Sequence, residues 1–100
     1  MTQQEIDSIC QQAVDKWGTI PQSDMAIEEM AELTNALMKD RRGRVTLDDI
    51  ITEVADVTIM MNQLSYIVGR DKVQAEVERK IVRLKGRLEK NQRNGDATIG

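Results

Sequence analysis

The chain has 100 residues, of which 40% are hydrophobic, and it carries a formal net charge of −3 with a pI near 4.9. The length indicates one domain, expected over residues 1–91 with a disordered tail at 92–100, and the acidic balance argues against a nucleic-acid partner. The absence of histidine excludes His-based triads and the common zinc enzymes. No stretch has the roughly 20 apolar residues of a membrane span and no signal peptide is evident, so we expect a cytoplasmic protein without a membrane partner.

Hydrophobic periodicity predicts four helices and no strands. The first helix is expected over Gln3–Trp17, where the spacing of its apolar residues indicates that Cys10 is a buried structural thiol. Gly18 and Pro21 are expected to separate it from the second helix, which is predicted over residues 24–40.

A capping box opens the third predicted helix, because Asp49 follows Thr46 at the spacing that lets each side chain bond the other's backbone amide. This helix is expected to end at Val68, and Gly69 suits the position after a helix C-terminus. The fourth helix is predicted over residues 71–90.

Two acidic pairs, Glu29-x-x-Glu32 and Glu53-x-x-Asp56, lie within apolar helical patterns. Residues three apart share one side of a helix, so each pair directs two carboxylates to one place. On a helical wheel the pairs flank apolar stripes formed by Ala26, Met30, Leu33 and Leu37 in helix two and by Ile50, Val54, Val57, Met61, Leu64 and Val68 in helix three. Two adjacent helices would gather four carboxylates, which repel one another unless a cation joins them. The oxygen ligands favour a hard divalent ion, Mg²⁺ before Mn²⁺ or Ca²⁺.

The alternative is that these acids form interhelical ion pairs with lysines and arginines of the fourth helix. Four acids in two close pairs exceed what such pairing requires, and the metal site is therefore the preferred interpretation.

At these residues the chain resembles the MazG-like, all-α nucleotide pyrophosphohydrolase superfamily, whose motif is Glu-x-x-Glu, an intervening segment, then Glu-x-x-Asp. Here 20 residues separate Glu32 from Glu53, and Lys16-Trp17-Gly18 is similar to the segment that often precedes the first pair. The resemblance implies a four-helix bundle completed by homo-oligomerisation, as a homodimer or homotetramer. It also implies Mg²⁺-dependent hydrolysis of a nucleoside triphosphate, ribo- or deoxyribo-, to monophosphate and pyrophosphate. When the metal-ligand roles of the superfamily motif are assigned to the matching positions of this sequence, the ligands are Glu29, Glu32, Glu53 and Asp56.

Other roles and activities follow as hypotheses. Since no histidine is present, the catalytic base is expected to be a carboxylate, Glu32 or Glu53, or else the metal hydroxide itself. The residues expected to bind substrate are Gln63, Lys80, Arg83 and Trp17. Three of these substrate-binding roles have a structural alternative. Lys80 and Arg83 could lie on a solvent-exposed flank of the fourth helix, and Trp17 could pack in the core. Competing activities are a phosphoribosyl-ATP or dUTPase-type pyrophosphohydrolase, or a non-catalytic helical oligomerisation module.

Overall fold

Four helices make up the fold in a computed structural model that describes residues 1–93, with side chains described to residue 91. They are α1 (Gln3–Trp17), α2 (Thr19–Asp40), α3 (Leu47–Val68) and α4 (Arg70–Arg93), and no strand occurs in the described residues. The all-α prediction is confirmed. The helices α1, α2 and α3 pack together in a unit that spans Met1–Val68, and α4 belongs to a second unit.

The predicted boundaries hold for α1 and for both ends of α3, whereas α4 extends beyond its predicted end to Arg93. Most of the predicted tail, residues 94–100, lies outside the described residues. Over the part of the chain that is described, none of the helices combines the length and apolarity that crossing a bilayer requires.

Helix α2 begins five residues earlier than predicted, because a single glycine connects it to α1. The Gly18 amide donates to the Val14 carbonyl at 2.8 Å, and the Gly18 carbonyl accepts from the Gln22 amide at 3.2 Å. Gly18 has φ 102°, and a Cβ atom there would lie 3.3 Å from Cδ of Pro21. Pro21 itself occupies the first turn of α2, where a helix has no acceptor for an amide hydrogen, so it does not delay the helix start.

The connection between α2 and α3 is tightly hydrogen-bonded at both ends. At the end of α2 the Arg44 amide donates to Lys39 O at 3.0 Å and the Gly43 amide to Asp40 O at 2.9 Å, the Schellman pattern, with Gly43 at φ 66°. At the start of α3 the predicted capping box is present: the Thr46 amide donates to Asp49 Oδ2 at 2.9 Å, and the Asp49 amide to Thr46 Oγ1 at 3.2 Å. This short link makes α2 and α3 antiparallel neighbours.

The buried face of α2 and α3 differs from the predicted apolar stripes. Buried and partly buried residues in α2 recur at alternating spacings of four and three, namely Gln22, Ala26, Glu29, Leu33 and Ala36. A matching series follows α3, namely Glu53, Asp56, Met60, Gln63 and Ile67. We call these two series the seam; this spacing is the a/d pattern of closely packed helices. Several larger apolar residues point elsewhere, since Leu37 is 47% exposed and Val54 46% exposed.

Helix α1 packs across α3 through a buried thiol and two hydrogen bonds. The Cys10 side chain is 4% exposed, and its Sγ lies 4.0 Å from the Ile59 carbonyl oxygen, which confirms the predicted structural thiol. On either side, Asn62 Nδ2 donates to Asp7 at 2.7 Å and Tyr66 Oη donates to Asp15 at 2.8 Å. These contacts fix α3 and leave its acidic side for α2.

Candidate metal centre

Three of the four predicted acids converge in the seam. One carboxylate oxygen from each of Glu29, Glu53 and Asp56 lies within 4.8 Å of the others, and all three residues are partly buried. We call this group the acidic cluster. Glu29 comes from α2, whereas Glu53 and Asp56 are one turn apart on α3, so the antiparallel packing of the two helices brings them together. The prediction that the acidic pairs meet is therefore confirmed for these three residues.

Two oxygens of the acidic cluster are buried without a hydrogen-bond donor. They are Oε2 of Glu29 and Oε2 of Glu53. Within the three-helix unit, no lysine or arginine nitrogen forms an ion pair with either residue or with Asp56. Buried carboxylate oxygens are normally paired with a donor, a cation or a bound ion. The cluster therefore offers acceptors that lack a partner from the surrounding helices.

The electrostatics of the acidic cluster favour protonation or a bound cation. Withdrawal from water raises the pKa of Glu29 above its ordinary value of 4.5, and the negative charges of Glu32, Asp56 and Glu53 raise it further. The pKa of Glu53 is raised in the same way, first by withdrawal from water and then by the charges of Glu32, Asp56 and Asp49. A divalent cation would compensate the negative charges that raise the pKa of Glu29 and Glu53. An all-oxygen donor set suits Mg²⁺ or Mn²⁺.

Glu32, the fourth predicted ligand, occupies a different position. Its side chain is exposed, and it is not one of the three residues whose oxygens converge. It nevertheless lies close to the acidic cluster, because it is the first of the charges that raise the pKa of both Glu29 and Glu53. Glu32 and Glu53 also line one cavity together. Glu32 is thus placed at the edge of the cluster rather than inside it.

The cavity beside the acidic cluster contains polar residues that the sequence analysis did not assign to the site. It measures about 360 Å³ and is lined by Glu32, Asn35, Lys39, Val45, Asp49 and Glu53, together with Ala36. The signal for the α2 residues was present in the sequence, since positions 32, 35, 36 and 39 share one helix face. We call this space the lysine cavity.

None of the residues predicted to bind substrate lines the lysine cavity. Gln63 is 6% exposed in the seam, and its Oε1 atom has no hydrogen-bond partner. Trp17 is 58% exposed with Lys16 Nζ 5.7 Å from its ring centroid, so the alternative of a core tryptophan is wrong for this chain. In α4, Lys80 and Arg83 line a cavity of about 240 Å³ with Arg87, and Lys80 Nζ is 3.8 Å from Oε2 of Glu76. The substrate-binding roles of these residues stay predictions.

A larger cavity, of about 490 Å³, lies at the α1–α2 connection, where Asp15, Thr19 and Tyr66 are among its lining residues. The Asp15 carboxylate already accepts a hydrogen bond from Tyr66 Oη. Size alone therefore does not identify the functional site, because the unpartnered carboxylates lie next to the smaller cavity.

Comparisons of the chain with protein-family models, with curated proteins and with solved structures find no match. A function must therefore be inferred from the residues of the site and from the resemblance of its acidic motif.

Proposed function

We propose that this protein is a Mg²⁺-dependent nucleotide pyrophosphohydrolase of the MazG-like type, which cleaves a nucleoside triphosphate to monophosphate and pyrophosphate. The observation that carries the proposal is the convergence of Glu29, Glu53 and Asp56 in a helix seam, with two buried oxygens that have no partner. The order and spacing of the acidic pairs in the sequence support the same assignment. Glu29, Glu53 and Asp56 hold the ion, and Glu32 completes the set from the edge.

The reaction needs charge neutralisation, a positioned substrate and a base. Bound Mg²⁺ supplies Lewis acidity toward the phosphate oxygens. Glu32 or Glu53 accepts the proton of the water that attacks phosphorus, and pyrophosphate leaves with the electrons of the broken P–O bond. Glu32 is exposed to the lysine cavity, where water and substrate can reach it. Glu53 lines the same cavity and is the other candidate for this role.

The proposal includes a homo-oligomer, a dimer or a tetramer that buries apolar side chains left exposed in the single chain. On the described residues of α2 and α3, the exposed apolar side chains include Ile27, Leu37, Met38, Ile51 and Val54. Apolar residues in this number on neighbouring helices are typical of an association surface. Sedimentation velocity with chelator and with Mg²⁺ tests this part of the proposal, and a monomer under both conditions would contradict it.

The direct test of activity is incubation of the purified chain with Mg²⁺ and a panel of nucleotides, with chromatographic measurement of monophosphate and pyrophosphate. The panel includes the common nucleoside triphosphates, dUTP and phosphoribosyl-ATP, because the related activities differ in substrate. Glu53→Gln is expected to lower kcat by about 10²–10⁴-fold, the usual contribution of a general base.

The matched control is Glu28→Gln, which removes an exposed carboxylate from the same helix as Glu29 and outside the acidic cluster. It should retain wild-type turnover. Absence of nucleotide turnover with any member of the panel, combined with metal-dependent assembly, would instead favour the non-catalytic oligomerisation module. Equal rates in wild type and Glu53→Gln would remove the acidic cluster from the mechanism.

A further inference from the structure

The lysine cavity contains one cation among several acids. Lys39 lines it together with Glu32, Asp49 and Glu53, and its ammonium group forms no ion pair among the described side chains. A lysine beside carboxylates often pairs with one of them, whereas the exposed Lys39 ammonium can take a different partner. An anionic group that enters the cavity would supply it.

The charge distribution restricts the kind of anion. Glu32 and Glu53 lie where the cavity meets the acidic cluster, and their charges repel a bare anion. A suitable ligand therefore carries a divalent cation at that end and negative charge at the Lys39 end. A phosphate chain complexed with a divalent cation meets both conditions. Lysine is a common point-charge ligand for phosphate, and its flexible stem lets the ammonium follow a terminal phosphate.

The remaining properties of the lysine cavity agree with a ligand of this class. Its volume of about 360 Å³ lies within the range of roughly 300–1,000 Å³ that is typical of small-molecule sites. Asn35 supplies an amide donor on the same helix face as Lys39. The small side chains of Ala36 and Val45 contribute to the walls.

We propose that the lysine cavity binds the phosphate chain of the nucleotide and that Lys39 is its cationic contact. This inference rests on the proposed function, but it assigns the phosphate contact to α2 rather than to Lys80 or Arg83 of α4. Lys39 positions the substrate so that the scissile phosphate lies at the acidic cluster, and Lys39 takes no part in proton transfer.

Binding of inorganic tripolyphosphate with Mg²⁺, measured by calorimetry on the full chain, tests the inference without requiring turnover. The variants are Lys39→Ala and, as a control, Arg42→Ala, which removes the same charge from the nearby loop outside the cavity. Both positions are exposed, and alanine favours helix at Lys39 in α2, so the fold should persist, and circular dichroism checks this. Lys39→Ala should weaken binding about 10–100-fold, as loss of a charge-assisted hydrogen bond does. Arg42→Ala should change it by no more than about twofold.

Each outcome has one meaning. Equal losses in the two variants would overturn the inference, because they would show general attraction by the protein's charge rather than a contact at Lys39. Absence of tripolyphosphate binding by the wild type would overturn it as well. Selective loss in Lys39→Ala supports it. If the wild type binds tripolyphosphate through Lys39 yet hydrolyses none of the nucleotides, the proposed activity fails while the phosphate site stands.

Discussion

Mg²⁺ is expected to stabilise the folded chain much more than Na⁺ at equal ionic strength. The reason is the acidic cluster, where the oxygens of Glu29, Glu53 and Asp56 lie within 4.8 Å of one another in the folded state only. Unfolding separates Glu29 from Glu53 and Asp56 by more than twenty positions of flexible chain, so the unfolded state has little affinity for the ion. A ligand that binds the folded state alone raises its stability by mass action.

The size of this stabilisation follows from the thermodynamic linkage between ion binding and folding. Three ionised carboxylates carry a charge of −3, which one divalent ion reduces to −1. At an ion concentration of about 100 times Kd, the free energy of unfolding rises by about 2.7 kcal/mol. In a domain of this size each kcal/mol shifts Tm by roughly 4–8 °C, so the expected rise in Tm is about 10–20 °C.

Thermal unfolding followed by circular dichroism measures this shift in chelator, in MgCl₂ and in NaCl of matched ionic strength. Glu53→Gln should abolish the Mg²⁺-dependent part, and its Tm in chelator should exceed that of the wild type because one repelling charge is gone. Glu28→Gln should keep the full shift, since it changes an exposed acid outside the acidic cluster. An equal Mg²⁺-dependent shift in wild type and Glu53→Gln would refute the reasoning.

Other predictions concern pH and packing. In chelator, the raised pKa values of Glu29 and Glu53 mean that the folded state holds protons which the unfolded chain releases near pH 4.5, so these groups stabilise less as the pH rises above that value. Urea midpoints across this range should show the wild type losing stability relative to Glu53→Gln toward neutral pH; parallel profiles would contradict this. Met60→Ala, at a residue 4% exposed, should lower the free energy of unfolding by about 2–5 kcal/mol in urea titrations, and a loss below about 1 kcal/mol would show that the seam is not closely packed. Thr46→Ala removes an acceptor from the capping box and should cost about 1 kcal/mol by the same measurement, whereas an unchanged midpoint would mean that the box contributes little.

Local chemistry allowed most helix boundaries to be predicted from the sequence. The reciprocal bonds of Thr46 and Asp49 depend only on residues three apart, and the end of α3 before Gly69 depends on a glycine that adopts φ 115°. The start of α2 was mispredicted because Gly18 and Pro21 were both treated as helix breakers. Only the glycine interrupts the helical conformation, since a proline in the first turn removes a hydrogen bond that the helix does not make.

The convergence of the acids was predictable, but their position in the packing was not. A wheel weighted by hydrophobicity placed Met30 and Leu37 inward and the acids beside them. In the structure the buried face of α2 keeps Ala26 and Leu33 of that stripe but passes through Glu29 and Ala36 in place of Met30 and Leu37. That choice depends on how two helices fit together, which a single-helix pattern does not contain. For the same reason the sequence did not distinguish Glu32, at the edge, from Glu29 in the seam.

The position of the acids in the seam also bears on why the chain would contain them. Seam positions ordinarily hold apolar residues, and replacing buried charged groups by apolar residues of similar size often increases stability. Glu29, Glu53 and Asp56 therefore make this pair of helices less stable than an apolar seam would, unless an ion compensates their charge. Violations of ordinary packing rules of this kind are characteristic of functional sites. Because the same residues are part of both the interhelical packing and the acidic cluster, any ion that binds them also fixes α2 against α3. An ion at the cluster would therefore also act on the lysine cavity, because residues of the same two helices line it together with Val45.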